Sequence, residues 1–581
     1  MAHHRFVVHP LVLRRVHVVA VRDVTPRMRR VTLGGPELGA FTRDGLDLPA
    51  FASPAFDDHV KLVFAADGDV HAALPVQLED GIDWPPSTTR QGRDYTPRRF
   101  DAAAGELDLD LVLHGDGPAA GWARDAVPGA ELWFAGPKSS TVVPDDADWV
   151  LLVGDETALP AIGRFLEERP LDVPVRAVVT VADPTGRQDL ATRPGDDVTW
   201  VVADPADEGA LLAAVRAVEP LPGTAYVWAA AESRVLLPVR RYVAGDLGVP
   251  KSHANLTGYW HRTDEPAGAT TGPAPLPVPP PSPAAWFAVH TALRLGLVEA
   301  LADGPVGVAA VARRCEVDPA RFAPLLDVLA AADVLAVEDG ALALGPVGEL
   351  LADDEHLREE YEGVHAAQLL ALADLAPALA GGDPAWARRH GGTLRTAAQD
   401  DPEVYADLAE QAEMLPFLVT GVPRMRLWAP GQRVACGGPG ALVLADLLRE
   451  KTGAITTVVE DPGPLRALLA PGETPHAVAE HWGAQDVAVT ALALGHRTDA
   501  EAVEHLRELR AAAPLAVLVE ALRPDALGPG AAEDALLHLA TLGVPPRSPE
   551  DVAALAEAAG WRMVDRRPLG WGTECLVLAA G

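Results

Sequence analysis

The chain has 581 residues, 49% of them apolar, and its 48 Lys+Arg against 82 Asp+Glu leave a formal net charge of −34. At roughly 150 residues per domain this length predicts three or four domains, and the apolar content excludes a disordered chain. So acidic a surface excludes nucleic acid as a partner, and three scattered cysteines (Cys315, Cys436, Cys575) exclude a disulfide framework, a zinc ribbon and a four-thiolate cluster.

The opening MAHHRFVVHP lacks a signal peptide's apolar stretch, and no apolar run reaches the roughly 18 residues of a membrane helix. A soluble, cytoplasmic protein without a membrane partner is expected. Residues 12–20, 29–34, 59–65, 107–113 and 131–135 read as short strands between Gly/Pro turns, the spacing of an antiparallel barrel or sandwich. From 148 the pattern changes. Apolar strands at 149–153, 175–182, 198–202 and 225–230 alternate with helical stretches such as 158–168 and 207–218, which predicts a parallel doubly wound sheet.

Asp264 to Ser282 is dense in Pro, Gly, Ala and Thr and predicts an extended, semi-rigid tether. Beyond it, 284–350 is mostly helical, with helix, turn, helix and an Asp-Gly hairpin over 303–345, a winged-helix outline. Residues 355–425 read as helical again. From 433 strand and helix alternate to a final strand pair at 562–578.

Two segments of the first half carry chemistry. Arg93-Asp94-Tyr95-Thr96-Pro97-Arg98, read as one strand, presents what a flavin needs: a flat aromatic face, a hydroxyl donor, and cations for a pyrophosphate. His114-Gly115-Asp116-Gly117-Pro118-Ala119 follows an apolar strand and opens a helix through Trp122, with Pro118 at its start. Free N–H groups at such a helix start bind anions, and glycines let a phosphate approach the backbone.

With RMRRVTLGGPEL (ending at Leu38), AGPKSS (135–140), LLVGDETALPAI (151–162) and GYWHR (258–262), these motifs resemble, in order, the siderophore-interacting proteins. That family consists of flavin-dependent ferric-siderophore reductases with a ferredoxin-reductase-like fold. The resemblance covers about residues 10–262. It implies a noncovalent FAD held by Arg93, Tyr95, Thr96, Arg98, His114, Gly115, Gly117, Ala119, Trp122 and Thr157. It also implies a ferric siderophore as substrate, with NADH, NADPH or a ferredoxin as electron donor. Siderophores of this kind are commonly anionic, so Lys61, Lys138 and Arg262, in or beside family motifs, are the candidate docking cations. Electron transfer through a flavin needs no protein nucleophile or metal ligand, and none is assigned. Ala231 and Thr263 depart from the family's usual glycines on the nicotinamide side.

Past the tether, the run from Trp286 to Asp354 resembles the dimerisation region of small-molecule O-methyltransferases, and the likeness continues to the C-terminus. It implies a winged-helix domain able to form a homodimer through 284–425, followed by a Rossmann-like domain for S-adenosylmethionine. The family's glycine-rich turn corresponds to Val434-Ala435-Cys436-Gly437-Gly438-Pro439-Gly440, with alanine at the acidic position and proline inside the run. Gly437, Gly438, Gly440 and Glu460 are what remains of that site. The base position falls on Gly495, beside His496 in what reads as a surface turn. These departures speak against S-adenosylmethionine binding.

The expected architecture is multidomain. It comprises an FAD-binding β-barrel (1–143), an α/β nucleotide-type domain (144–263), a Pro-rich linker (264–283), a winged-helix domain (284–425) and a degenerate methyltransferase-like Rossmann domain (426–581). The expected activity is reduction of chelated Fe(III) to Fe(II) with release of iron. Two alternatives stand beside it: a bifunctional protein that also methylates a small molecule, and a non-catalytic siderophore carrier.

Overall fold

A computed structural model describes residues 5–113, 115, 117–261, 282–302, 304–338, 340–460, 475–522 and 531–581. His114, Arg262, Thr263 and all but the last two residues of the 264–283 linker lie outside the described residues.

The first sheet has seven strands, in the order Pro97–Asp101, Glu106–Val112, Met28–Gly34, Leu13–Thr25, Glu131–Ala135, Val60–Ala65 and Arg90–Tyr95. Every neighbouring pair is antiparallel. Alternation along the strands buries Leu107, Leu109 and Leu111 with Val31, Leu33, Leu62 and Phe134 in one core. The two edge strands, Arg90–Tyr95 and Pro97–Asp101, are consecutive in the chain with only Thr96 between them, so the ends of the sheet meet and the barrel closes there.

The second sheet runs Asp197–Val202, Val175–Val181, Trp149–Gly154, Ala225–Glu232, Ala254–Trp260, wholly parallel. Burial on both faces makes the three inner strands almost continuously apolar, which is why the sequence shows them without alternation. GYW of the last motif ends the fifth strand. Strand order reverses between Trp149–Gly154 and Ala225–Glu232, the place where open α/β sheets bind ligands. Gly154 is required there, because a Cβ would stand 2.6 Å from the Ala230 carbonyl oxygen.

In the second half, helices Val308–Arg314 and Pro319–Ala331 precede the hairpin Leu335–Glu338/Ala341–Leu344, as a winged helix requires. The last sheet runs Ala477–Ala479, Ile455–Val459, Arg433–Gly437, Val487–Ala491, Leu515–Ala521, Thr573–Ala580, Trp561–Gly570. Its first five strands are parallel and its final hairpin antiparallel, a Rossmann-like order with one reversed strand. That hairpin reaches the barrel. Trp571, at its turn, packs against both the Leu13/Val63/Ile82/Trp133 cluster and the core of the last domain. Arg424 pairs with Asp80, and Arg567 lies 4.0 Å from Glu79. No helix among the described residues is long and apolar enough to cross a membrane.

Candidate functional site

RDYTPR does not form one strand. It crosses the barrel seam, so Arg93 and Tyr95 share one face of the closing strand while Arg98 belongs to the strand at the sheet's other edge. Arg93 is exposed, its guanidinium donating to the Gly92 carbonyl at 2.6 Å. Tyr95 packs onto the barrel core, and burial pushes its phenol up to about 12, so it stays a neutral donor. Thr96 is buried and hydrogen-bonds the Tyr259 hydroxyl on the fifth strand of the α/β sheet.

Arg98 points away from solvent. Its two terminal nitrogens lie 2.7 and 2.5 Å from the carboxylate oxygens of Glu167, and its Nε lies 3.8 Å from Asp110. Hydrogen bonding to Arg98 lowers the Glu167 pKa against the opposing effect of burial. Arg98 therefore clamps the barrel to helix Leu159–Glu168.

At the other wall, Gly117 caps helix Pro118–Asp125 with no side-chain hydrogen bond, so its first N–H groups are open to an anion. Gly115 sits at φ +59°, and no atom lies within 4 Å of the Cβ position at Gly115 or Gly117. Ala119 is buried in the core, and the Trp122 ring lies 6.4 Å from Phe64. Arg29 fixes this helix by donating to the carbonyls of Ala123 and Arg124 at 3.1 and 2.9 Å. An exposed cation, a neutral phenol, a hydroxyl and an open glycine turn over free N–H groups are a donor set that fits a flavin dinucleotide.

The acidic turn of the α/β domain works differently from its appearance in sequence. Thr157 donates from its N–H and hydroxyl to Asp155, at 2.8 and 2.5 Å, so its side chain is held inside its own turn. The other Asp155 oxygen accepts from Trp260 Nε1 at 2.7 Å. Glu156 pairs with Arg27 of the barrel at 3.0 Å, and burial raises its pKa despite that arginine. Tyr259, Trp260 and Arg27 lie in or at the edge of recognised motifs, but their partners are more than 100 residues away, and no local pattern announces them.

The docking cations divide. Lys61 pairs with Asp94 at 2.8 Å across neighbouring strands. Lys138 has its ammonium 4.7 Å from the Phe417 ring and 6.0 Å from the Trp571 ring, both from the last third of the chain, and burial lowers its pKa.

The glycine turn of the last domain is filled. A Cβ on Gly437 would meet Trp482 at 2.6 Å, and one on Gly440 would meet Leu415 at 2.3 Å. Gly438 lies at φ +91° with the Ala491 carbonyl 2.5 Å from its Cβ position, and Glu460 accepts from the Tyr405 hydroxyl at 3.1 Å. A cavity of about 280 Å³ remains beside the turn, lined by Gly438, Glu460, Trp482, Arg497 and His505. Trp482 and Leu415 thus crowd two of the turn's three glycines, while Gly438 and Glu460 border the cavity. His496 corrects the expectation of a surface turn: it is buried, 2.6 Å from an Arg497 guanidinium nitrogen, and burial holds its pKa far below the usual value. Gly495 has nothing within 4 Å of its Cβ position and lines a cavity of about 160 Å³ with Glu520 and His538.

The siderophore-interacting FAD-binding domain matches residues 17–141, and the siderophore-interacting protein domain matches 147–263. An NADPH-dependent ferric-chelate reductase of Escherichia coli (strain K12) is 34% identical over 252 residues, 43% of this chain and 92% of that protein. The chain belongs to the siderophore-interacting protein family. Ferric vibriobactin reductase ViuB of Vibrio cholerae is 28% identical over 253 residues, covering 43% of this chain and 89% of the relative. A siderophore utilization protein from T. fusca is 37% identical with a TM-score of 0.41, over 45% of this chain and 98% of the other. The second half is similar to the O-methyltransferase NcsB1 from neocarzinostatin biosynthesis, at 23% identity and a TM-score of 0.42, over 51% of this chain and 96% of the other. The family's two domains thus match within residues 17–263.

Proposed function

We propose that the chain is a flavin-dependent ferric-siderophore reductase whose methyltransferase-like half does not transfer methyl groups. The observation that carries the reading is the open glycine positions Gly115 and Gly117 before helix Pro118–Asp125, which packs with Tyr95 on the same barrel core, in a chain similar to a ferric-chelate reductase. Bound FAD would supply the redox chemistry, taking two electrons from a nicotinamide donor and giving one to each of two chelated Fe(III) ions.

The chain's own residues bind and orient. The N–H groups of helix Pro118–Asp125 and the Arg93 guanidinium would neutralise the pyrophosphate, the strongest kind of hydrogen bond available here. Tyr95 and Thr96 would hold the ring system against the seam, and Trp122 would flank it. The Glu156–Arg27 and Tyr259–Thr96 contacts fix the α/β domain against the barrel. Iron leaves because a siderophore holds Fe(II) more weakly than Fe(III). The second half would serve as a scaffold, and the filled glycine turn supports that assignment over a bifunctional enzyme.

The test is the visible spectrum of the purified protein, followed by anaerobic reduction with NADPH or NADH and mixing with a ferric chelate and a ferrous trap. A flavin spectrum bleached by the donor and restored by the chelate, with trapped Fe(II), is expected. A colourless protein that takes up no FAD would sink the reading.

A further inference from the structure

The closing strand Arg90–Tyr95 is reached from strand Val60–Ala65 through residues 66–89, and the two strands pair with Val63 opposite Gly92. That connection carries a short hairpin, Val76–Gln77 with Ile82–Asp83. Gln77 fastens the hairpin to the barrel. Its amide oxygen accepts from the Leu13 N–H at 2.8 Å, and its amide nitrogen donates to the Leu11 and Gly81 carbonyls at 3.2 and 2.8 Å. The turn of the same hairpin meets the second half. The Leu569 carbonyl lies 3.4 Å from the Cβ position of Gly81, the Ile82 carbonyl lies 2.5 Å from that of Gly570, and Arg424 pairs with Asp80.

From this hairpin a continuous path of packed side chains leads to the strand that carries Arg93 and Tyr95. Trp571, Ile82, Trp84 and Val63 share one apolar cluster. The buried Trp84 lies under the Arg90 guanidinium, whose central carbon is 5.1 Å from the ring centroid. Arg90 is the first residue of the closing strand, and it donates to the Ala73 and Pro85 carbonyls at 2.6 and 2.9 Å, so its side chain is held inside the 66–89 connection. At the far end of the path, Trp571 and Gly572, at φ +47° and +72°, make the turn of the last hairpin. Asn, Asp or Gly is usual in such a turn. Here a tryptophan occupies it, and its ring packs on the barrel cluster as well as on its own domain.

We infer that the second half positions the flavin strand: Trp571 and Trp84 hold the 66–89 connection so that Arg93 and Tyr95 are in place before the cofactor arrives. This rests on the flavin reading given above and goes beyond a passive scaffold, because it makes cofactor affinity depend on one contact between the halves. The physical reason is population. A strand whose anchoring segment is loose spends part of its time misplaced, and the apparent dissociation constant rises by the reciprocal of the competent fraction. Trp571 and Trp84 act through Arg90, not on the cofactor itself, so they are positioning residues. The appended half then has a role at the reductase site without any chemistry of its own.

The experiment uses the full-length protein, stripped of flavin and then titrated with FAD. Trp571→Ala and Trp84→Leu are each expected to raise the FAD dissociation constant about tenfold. In the flavin-free protein, each should speed amide hydrogen exchange across residues 90–95 by at least about tenfold. Because both act along one path, the double variant should lose little more than the larger single one. Trp571→Phe keeps a ring in the cluster and is expected to return both readings to within about twofold of wild type. Leu506→Ala is the control, since it lies in a core of the last domain that contains no barrel residue. It should lower the thermal midpoint and leave the FAD dissociation constant and the exchange of residues 90–95 unchanged. An equal flavin loss in Leu506→Ala would reduce the effect to general stability and overturn the inference, as would unchanged exchange across 90–95 or fully additive losses. Wild type that takes up no FAD would overturn the flavin reading, while the exchange measurement would still decide whether the second half holds the strand.

Discussion

Arg98 reaches across the barrel seam to Glu167, its guanidinium 2.7 and 2.5 Å from the two carboxylate oxygens. The pair joins the strand Pro97–Asp101 to the helix Leu159–Glu168, so the residue that the motif offers to a flavin pyrophosphate also ties two domains together. Phosphate and Glu167 compete for one cation. Glu167→Gln is therefore expected to tighten FAD binding a few-fold, on the order of 0.5–1 kcal/mol for a half-exposed partner. Arg98→Ala is expected to weaken it and to cost about 1–3 kcal/mol of stability. Flavin dissociation constants and thermal midpoints of both variants check this, and equal flavin affinity in all three proteins would assign Arg98 to the domain clamp alone.

Arg93 and Tyr95 alternate onto one side of the strand Arg90–Tyr95, and they carry the cofactor assignment. Arg93→Ala combined with Tyr95→Ala should yield colourless protein that stays folded by circular dichroism. Tyr95→Phe should retain flavin with a dissociation constant raised about five- to tenfold, the value of one neutral hydrogen bond. Flavin retained by the double variant would move the site elsewhere.

The second half should not bind S-adenosylmethionine, because Trp482 and Leu415 fill the space facing Gly437 and Gly440. Titration calorimetry is expected to show no saturable heat for the wild type. Saturable binding would restore the bifunctional reading.

Glu520 is fully buried, accepting from the backbone N–H groups of Ala493 and Leu494 at 3.0 Å each, and burial pushes its pKa up to about 7 from 4.5. A carboxyl raised in the folded state binds more protons there than in the unfolded chain. Stability is therefore highest below about pH 4.5 as far as this group is concerned, and falls as pH rises toward about 7, by on the order of 3 kcal/mol. Glu520→Gln should flatten that slope in the unfolding of the last domain, measured by thermal midpoints between those pH values. An unchanged slope would assign the pH dependence to other groups.

Strand and helix positions were legible wherever burial imposes a period. The parallel strands at Trp149–Gly154 and Val175–Val181 read as apolar runs, and the barrel strand at Glu106–Val112 as alternation. The RDYTPR motif was legible as flavin-compatible chemistry but not as two strands, because the break at Thr96 exists only where the sheet's edges close on each other. His496 looked like part of a solvated turn. It is buried because Arg497 and Arg547, the latter 50 residues further along the chain, fold over the same loop.

Residue order and local chemistry alone decided the siderophore-interacting family, since its motifs each depend on neighbours within a few positions. Tertiary structure decided which cation remains free. Arg98 is taken by Glu167, Lys61 by Asp94, and Lys138 faces Phe417 and Trp571 across sequence gaps of about 280 and 430 residues. A local pattern encodes that a face will be covered, but the covering residue is chosen by strand order and domain packing, which bring distant side chains together.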